Sequence, residues 1–367
     1  MSENIKKLNA LGQSIWYDNL SRDLLHSGEL KKLIEQGISG LTSNPAIFKQ
    51  AISKAEIYTP AIKEYAAKGL SAEEITEELM LADVAAAADL LKPVFEKSGG
   101  RDGFASIEVS PELAEETEKT VSAALSYWKR LNRPNIMIKV PATKAGIPAI
   151  QRLLTEGLNV NVTLIFSLSS YQAVMDAYIN ALEERQRKNL SLDNINSVAS
   201  FFISRNDSWL EKKIATLPAE EQEALTNKFY GQVGLAAGFS AYKIFEKTFG
   251  SERFLKLQKN GALKQRILWA SSSVKNTKFD PFLYALNLPC LDSVGTHPPA
   301  LIEAILKADS LNLNFVPAPS EAEIAALLAR FGTDFEKLSD LLLAEGVKLF
   351  AESYQQMLQA VAGRIKS

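Results

Sequence analysis

Short apolar runs alternate with longer amphipathic segments along most of the chain. The short runs are rich in β-branched and aromatic residues, as expected of buried strands. Eight of them are predicted as strands: Ser14–Tyr17, Ile38–Thr42, Phe104–Val109, Ile136–Val140, Asn159–Ile165, Val198–Ile203, Ile267–Ala270 and Cys290–Val294. Most of these runs are apolar on both faces, which is typical of parallel strands that are covered by helices.

The segments between the runs carry signals for the beginnings and ends of helices. Ser71 with Glu74, and Ser320 with Glu323, match the capping-box pattern and predict two helix starts. Gly157 predicts the left-handed end of the helix that follows the fourth strand. These signals indicate that strands and helices alternate in order along the chain.

Eight β/α units in a chain of 367 residues predict a (β/α)8 TIM barrel. Two long connections, roughly residues 48–100 and 207–264, are expected to hold additional helices, and Phe350–Ile365 is predicted as a C-terminal helical extension. A doubly wound open sheet is the alternative, but no G-x-G-x-x-G follows the first strand. No linker or repeat divides the chain, so we expect a single domain over residues 1–367.

Composition narrows the classes of function. The chain is 46% hydrophobic and 23% charged, and its net charge is −2. It therefore lacks the excess of positive charge that is typical of proteins that bind nucleic acid or an anionic membrane. No signal-peptide core or membrane-spanning run is present. One cysteine, Cys290, and two histidines, His26 and His297, make a metal centre improbable and suit structural roles. We therefore expect a cytoplasmic protein without a metal. No cofactor is expected, and the sequence leaves a monomer and a homodimer equally open.

The stretch N-I-M-I-K-V-P-A-T, from Asn135 to Thr143, places Lys139 inside the fourth predicted strand. Burial disfavours the charged form of an amine, and a neutral amine is a nucleophile that forms a Schiff base with a carbonyl carbon. The alternative is an ordinary lysine whose amine reaches water at the strand end. The residues at the other strand ends bear on this choice.

In a TIM barrel the chemistry lies at the carboxyl ends of several strands. Polar side chains follow these ends in order: Asp18, then Thr42, Ser43 and Asn44, then Glu108, Lys139, Asn161, Thr163, Ser200 and Arg205, and finally Ser271–Ser273 and Lys275. Each has a structural alternative. Asp18 and Asn44 could cap helices, and Glu108 could pair with Lys139 in an ion pair. The remaining groups could be satisfied or solvated polar side chains.

Together these residues suit Schiff-base chemistry. Such a lysine needs an acid to expel water from the carbinolamine and a base to take a proton from a substrate hydroxyl. Glu108 suits the first task, through a water held with Thr163, and Asp18 suits the second. The candidate ligand groups are of two kinds. Asn44 and Asn161 carry amides that can hold sugar hydroxyls, whereas Arg205 and Lys275 suit a phosphate.

Two long motifs resemble a known family. G-L-T-S-N-P-A-I-F (residues 40–48) and I-M-I-K-V-P-A-T (from residue 136) are similar to the signature stretches of transaldolases, the class I Schiff-base enzymes of the pentose phosphate pathway. W-Y-D-N-L, S-I-E-V-S-P, N-V-T-L-I-F and S-F-F-I-S-R resemble further family segments in the same order. The length and the helical C-terminus resemble the longer bacterial-type branch, so the resemblance covers nearly the whole chain.

The resemblance implies a role for each strand-end residue. Lys139 would form the imine, Glu108 and Thr163 would assist dehydration, and Asp18 would be the base at the C4 hydroxyl. The implied ligands of the dihydroxyacetone unit and the phosphate are Asn44, Asn161, Ser200 and Arg205. Many family members have an arginine where this chain reads A-S-S-S-V-K-N, so Lys275 is placed as second phosphate ligand by alignment only. Leu41 stands where valine or isoleucine is more usual.

Phe202 bears on the type of reaction. It lies two residues after Ser200, on the same side of the strand. A phenylalanine here resembles the transferases of the family, whereas related aldolases tend to carry tyrosine. A ring without a hydroxyl cannot help protonate or hydrolyse a bound three-carbon intermediate, so we expect the intermediate to wait for an aldehyde acceptor.

We therefore predict a transaldolase that moves dihydroxyacetone from sedoheptulose 7-phosphate or fructose 6-phosphate to glyceraldehyde 3-phosphate or erythrose 4-phosphate. A class I sugar-phosphate aldolase is the alternative, followed by a non-catalytic sugar-phosphate binder. A pyridoxal-phosphate enzyme would need a glycine-rich phosphate cradle, which the sequence does not offer. Phosphorylated sugars are the expected partners.

Overall fold

The computed structural model describes residues 1–313 and 320–366. Its strands are β1 Gln13–Tyr17, β2 Gly40–Leu41, β3 Phe104–Glu108, β4 Ile136–Pro141, β5 Val160–Ile165, β6 Ser197–Phe202, β7 Arg266–Ala270 and β8 Ser293–His297. They close in chain order into one barrel, in which every neighbouring pair is parallel. The predicted (β/α)8 barrel is confirmed.

Helices surround the barrel and extend it. In the described residues they are α1 Glu3–Ala10, α2 Arg22–His26, α3 Glu29–Gln36, α4 Pro45–Lys54, α5 Thr59–Ala67, α6 Ala72–Lys97, α7 Thr117–Leu131, α8 Gly146–Thr155, α9 Leu168–Arg187, α10 Ser204–Ile214, α11 Ala219–Phe229, α12 Gln232–Phe249, α13 Glu252–Gln258, α14 Leu283–Asn287, α15 Pro299–Lys307, α16 Glu321–Arg330 and α17 Phe335–Lys366. None of them is both long and apolar enough to cross a bilayer. Both long connections hold extra helices, as predicted.

The start and stop signals act as predicted. The Ser71 hydroxyl accepts a hydrogen bond from the Glu74 N–H at 3.2 Å, and the Glu74 carboxylate accepts one from the Ser71 N–H at 2.8 Å. The Ser320 hydroxyl accepts from the Glu323 N–H at 3.3 Å and begins α16. Gly157 has a φ of +94° two residues after α8, a conformation that favours glycine.

The eighth strand was predicted in the wrong place. The run Cys290–Val294 is a connection for most of its length, because Asp292 has a φ of +56° and Leu291 is 66% exposed. The strand itself, β8, ends in the polar pair Thr296–His297, and both side chains are buried. Their polarity hid the strand from a search for apolar runs.

The second strand is shorter than predicted, and the last helix is longer. β2 spans only Gly40–Leu41, and a Cβ added at Gly40 would lie 2.6 Å from the Trp16 ring, so glycine is required there. Helix α17 begins at Phe335 rather than at Phe350. Its additional turns are fixed by tertiary packing, since Leu338 and Leu342 are buried.

The amino-terminal end of the barrel is filled by side chains. An inner apolar cluster comprises Trp16, Phe104, Met137, Val198, Leu268, Ala270 and Val294. Arg266 lies below this cluster. Its Nη1 donates a hydrogen bond to the Ser14 hydroxyl at 2.8 Å, and its Nη2 is 3.7 Å from the Asp102 carboxylate. With this end closed, the carboxyl ends of the strands are left to form a site.

A second apolar layer lies across the carboxyl end of the barrel. We call it the mouth cluster; its buried members are Leu164, Phe166, Trp209, Leu210, Ile214, Phe229, Val233, Ala236, Ile324, Leu327, Leu328, Leu338, Leu342 and Phe350. They come from β5, α10, α11, α12, α16 and α17 and from the connection after β5. The mouth cluster holds the C-terminal helical region against the barrel opening.

Candidate active site

A cavity of about 210 Å³ opens at the carboxyl ends of the strands. Its walls come from the strand ends, from the segments and helix starts that follow them, and from one residue of α17: Asp18, Thr42, Asn44, Ala46, Lys139, Thr163, Ser200, Phe202, Arg205, Ala270, Ser271, Ser272, Ser273, Lys275, Thr296, Pro298 and Phe350. Eight of the ten predicted site residues line this cavity. The other two, Glu108 and Asn161, lie directly behind its wall.

Lys139 lies in β4, in register with Glu108 of β3 and Asn161 of β5. Its Nζ donates a hydrogen bond to the Ser43 carbonyl at 2.8 Å and lies 3.3 Å from Oε2 of Glu108. Both side chains of this ion pair are almost completely buried, at 6% and 3% exposed. The pair that we considered as a structural alternative therefore exists, and its amine also faces the cavity.

Burial raises the pKa of Glu108. The charge of Lys139 opposes the rise, and the nearby Asp18 adds to it. A carboxyl group that keeps its proton to higher pH can act as a general acid.

Thr163 is the residue that was predicted to act together with Glu108. It lies in β5 in register with Pro141, and its hydroxyl is fully buried without a hydrogen-bond partner among the described residues. A buried hydroxyl without a partner costs free energy, so a position that keeps one favours a role other than stability.

Asp18 follows β1, and its backbone N–H donates to the His297 carbonyl at 2.8 Å. One carboxylate oxygen accepts from the Thr42 hydroxyl at 2.6 Å, and that hydroxyl lies 2.7 Å from the Thr296 hydroxyl. Burial raises the pKa of Asp18, while Thr42, Lys139 and Lys275 oppose the rise. Asp18 does not cap α2, because Ser21 does so.

Asn44 does cap a helix. Its side-chain oxygen accepts from the Ile47 N–H at 3.0 Å at the start of α4. Its amide nitrogen takes no part in the cap, and the residue lines the cavity. The cap thus fixes the orientation of a side chain that still has donors for a ligand.

Asn161 and Ser200 form a connected pair. The Ser200 hydroxyl donates to the Asn161 side-chain oxygen at 2.7 Å, and the Asn161 amide nitrogen donates to the Ser106 hydroxyl at 3.2 Å. Asn161 is fully buried and does not line the cavity. In this arrangement Asn161 orients Ser200, which faces the cavity.

Arg205 and Lys275 bring two positive charges to the rim. Arg205 lies in the first turn of α10, and Lys275 lies in the connection after β7. Neither pairs with a carboxylate of the described residues, and the Lys275 Nζ donates to the Ser273 hydroxyl at 2.6 Å. Partial desolvation, with the charge of Arg205, lowers the pKa of Lys275. Two neighbouring cations without a counter-charge favour an anionic ligand between them.

Nine of the lining residues were not among the predicted site residues, and three of these nine are informative. Thr296 was missed because β8 was misplaced. Ser272 belongs to the serine run after β7; its hydroxyl donates to the Thr296 carbonyl at 3.1 Å and lies 2.7 Å from His297 Nδ1. Burial lowers the pKa of His297 to about 4, so it is neutral at physiological pH. Phe350 comes from α17, and no pattern in the sequence links this helix to the strand ends.

The chain matches the model of one protein family, described as transaldolase/fructose-6-phosphate aldolase, over residues 15–361. It belongs to this family. It is 40% identical over 365 residues to a transaldolase of Mycolicibacterium smegmatis, covering 99% of this chain and 97% of that protein. A transaldolase of Thermobifida fusca is 39% identical over 368 residues, with 100% and 99% covered. The chain is thus an enzyme of the transaldolase type, as the motifs indicated.

Proposed function

We propose that the enzyme transfers a dihydroxyacetone unit from a ketose phosphate to an aldose phosphate through a Schiff base on Lys139. The observation that carries this proposal is the buried Lys139 amine, 3.3 Å from Glu108 and facing a cavity that also holds Asp18. A nucleophile and a base of suitable types therefore border one small space, and an acid lies behind its wall beside the nucleophile.

The first half-reaction forms the imine and breaks a carbon–carbon bond. Lys139 first gives a proton to its ion-pair partner Glu108, and the freed amine adds to the C2 carbonyl of the ketose. Glu108 then returns that proton to the departing hydroxyl, so that water leaves. A water between Glu108 and the unpartnered Thr163 hydroxyl would relay this proton. Asp18 then takes the proton of the C4 hydroxyl, and the C3–C4 bond breaks. C4 becomes the aldehyde carbon of an aldose phosphate that departs, and the electron pair of the broken bond forms an enamine on Lys139.

The second half-reaction runs the same steps in reverse with another aldehyde. The enamine carbon attacks the aldehyde carbon of the acceptor, and Asp18 returns its proton to the new hydroxyl. Water then releases the product ketose and the free amine. Asn44 and Ser200 would hold hydroxyls of the three-carbon unit, with Asn161 orienting Ser200.

The rim cations select phosphorylated sugars. Arg205 and Lys275 would hold the terminal phosphate, one as a planar fork and the other as a point charge. Donors such as sedoheptulose 7-phosphate or fructose 6-phosphate, and acceptors such as glyceraldehyde 3-phosphate or erythrose 4-phosphate, place the enzyme in the non-oxidative pentose phosphate pathway. We expect it in the cytoplasm, as a monomer or homodimer, without a cofactor.

A lyase that releases free dihydroxyacetone is the second candidate, because the family includes aldolases by its description. The apolar ring of Phe202 favours transfer. It packs against Phe166, with ring centroids 5.1 Å apart, and lines the cavity. A phenyl ring cannot supply a proton to the enamine, so the intermediate persists until an aldehyde arrives.

The test is glyceraldehyde 3-phosphate release from fructose 6-phosphate, with and without erythrose 4-phosphate. Wild type should release it steadily only with the acceptor, and Lys139→Ala should release none. Lys144→Ala, which changes an exposed lysine five residues away, is the matched control and should behave as wild type. Steady release without acceptor would instead identify a lyase, and activity in Lys139→Ala would exclude the Schiff base at this residue.

A further inference from the structure

Helix α17 crosses the opening of the barrel and is attached on both sides. Its first half packs in the mouth cluster through Leu338 and Leu342. Its second half packs in the main core, and Arg364 donates hydrogen bonds to the carbonyls of Ala55 and Ser53 at 3.1 and 3.2 Å. The helix therefore bridges the barrel opening, between the α10–α12 side and the end of α4.

Phe350 lies midway along this bridge. In the described part of the chain it is the one residue of α17 that borders the cavity, and Lys139 and Phe202 border the same cavity. The side chain is 9% exposed and belongs to the mouth cluster. An apolar ring thus borders the same cavity as the amine that would carry the intermediate.

The same helix packs closely against the strand that carries Thr163. Leu164 has a φ of +58°, an unfavourable conformation for a branched side chain, and it lies where the pairing of β5 with β6 shifts register, between Val162 and Ile165. A Cβ added at Gly346 would lie 3.0 Å from the Leu164 side chain. Strain of this kind persists only where surrounding contacts enforce it, and α17 supplies those contacts.

We infer that Phe350 determines the fate of the three-carbon intermediate by keeping water away from it. The competing reaction is hydrolysis, in which one water protonates the enamine carbon and adds its oxygen to C2. The proton of the new C2 hydroxyl then passes to the Lys139 nitrogen, the bond from C2 to that nitrogen breaks, and dihydroxyacetone is freed as the ketone. This inference rests on the proposed function, and exclusion of water is a recognised way to prevent such a side reaction.

The experiment measures the ratio of two rates. The first is the rate at which glyceraldehyde 3-phosphate is released from fructose 6-phosphate without an acceptor, and the second is the rate of transfer with erythrose 4-phosphate. Phe350→Ala should raise this ratio about tenfold, and Phe350→Leu by less, because water gains access as the ring shrinks. Leu342→Ala is the control: it removes an apolar side chain from the same helix and the same cluster but does not border the cavity. Its ratio should equal that of wild type.

An unchanged ratio in both Phe350 variants would overturn the inference. An equal rise in Leu342→Ala would also overturn it, because loosening of the helix would then suffice. If Phe350→Ala does not fold, the ratio measured for Phe350→Leu is compared with that for Leu342→Ala, and this comparison still tests the inference. Borohydride reduction with fructose 6-phosphate distinguishes the two claims: no adduct in wild type overturns the proposed function together with this inference. An adduct with an unchanged ratio overturns the inference alone.

Discussion

Thr163→Val should separate activity from stability. The Thr163 hydroxyl is fully buried and has no hydrogen-bond partner among the described residues, while valine has nearly the same shape. Removing the hydroxyl therefore removes no protein–protein hydrogen bond of that part of the chain. If the hydroxyl serves to hold a water that relays a proton from Glu108, activity should fall without a loss of stability.

The magnitudes follow from the burial. An unpartnered buried hydroxyl costs about 1–3 kcal/mol in proteins, and an ordered water that satisfies it costs up to about 2 kcal/mol in entropy. The free energy of unfolding of Thr163→Val should thus be unchanged or higher by up to about 2 kcal/mol, measured by urea denaturation. The kcat for transfer should fall about 100-fold, as expected when a reacting group is misplaced.

Thr120→Val is the matched control. Thr120 is equally buried, but it lies in α7, and its hydroxyl donates to the Leu113 carbonyl at 2.9 Å. This variant should lose about 1 kcal/mol of stability and keep its kcat. A drop of more than about 1 kcal/mol in Thr163→Val would mean that its hydroxyl is paired within the protein. An unchanged kcat would remove Thr163 from the reaction.

Further predictions concern pH, phosphate and a buried carboxylate. Burial raises the native pKa of Glu108, so the native state holds the proton of this carboxyl group more tightly than the unfolded chain does. The stability that this proton contributes is lost as pH rises above the ordinary value of 4.5. Glu108→Gln should therefore flatten the dependence of the free energy of unfolding on pH. Lys275→Ala should raise the KM for fructose 6-phosphate about tenfold, whereas Lys278→Ala, on the same exposed connection, should not. Asp207 accepts hydrogen bonds from the N–H groups of Val233 and Gly234 at 3.1 and 3.0 Å and from a tyrosine hydroxyl at 2.7 Å, so Asp207→Ala should lose about 3 kcal/mol in a denaturant titration; a loss below about 1 kcal/mol would contradict this.

The barrel could be predicted because its strands are apolar on both faces and its helices have local start signals such as Ser71. Lys139 could be singled out because a charged residue inside an otherwise apolar strand is conspicuous. β8 could not be placed, because its end is polar and His297 is buried by neighbours distant in the sequence.

The position of Phe350 and the indirect position of Asn161 depend on tertiary contacts. Phe350 reaches the cavity because α17 packs across the opening, and the sequence contains no signal for that crossing. Asn161 points to the barrel interior as alternation predicts, but whether it touches a ligand or another side chain depends on the size of its neighbours. It bonds Ser200 and Ser106 instead of lining the cavity.

The central claim is that Lys139 carries the three-carbon unit. Borohydride reduction in the presence of fructose 6-phosphate, followed by peptide mass spectrometry, tests it most directly. We expect a stable dihydroxyacetone-derived adduct on Lys139, none in Lys139→Ala, and an unchanged amount in Lys144→Ala. An adduct on another lysine, or no adduct in an enzyme that still transfers, would contradict the account.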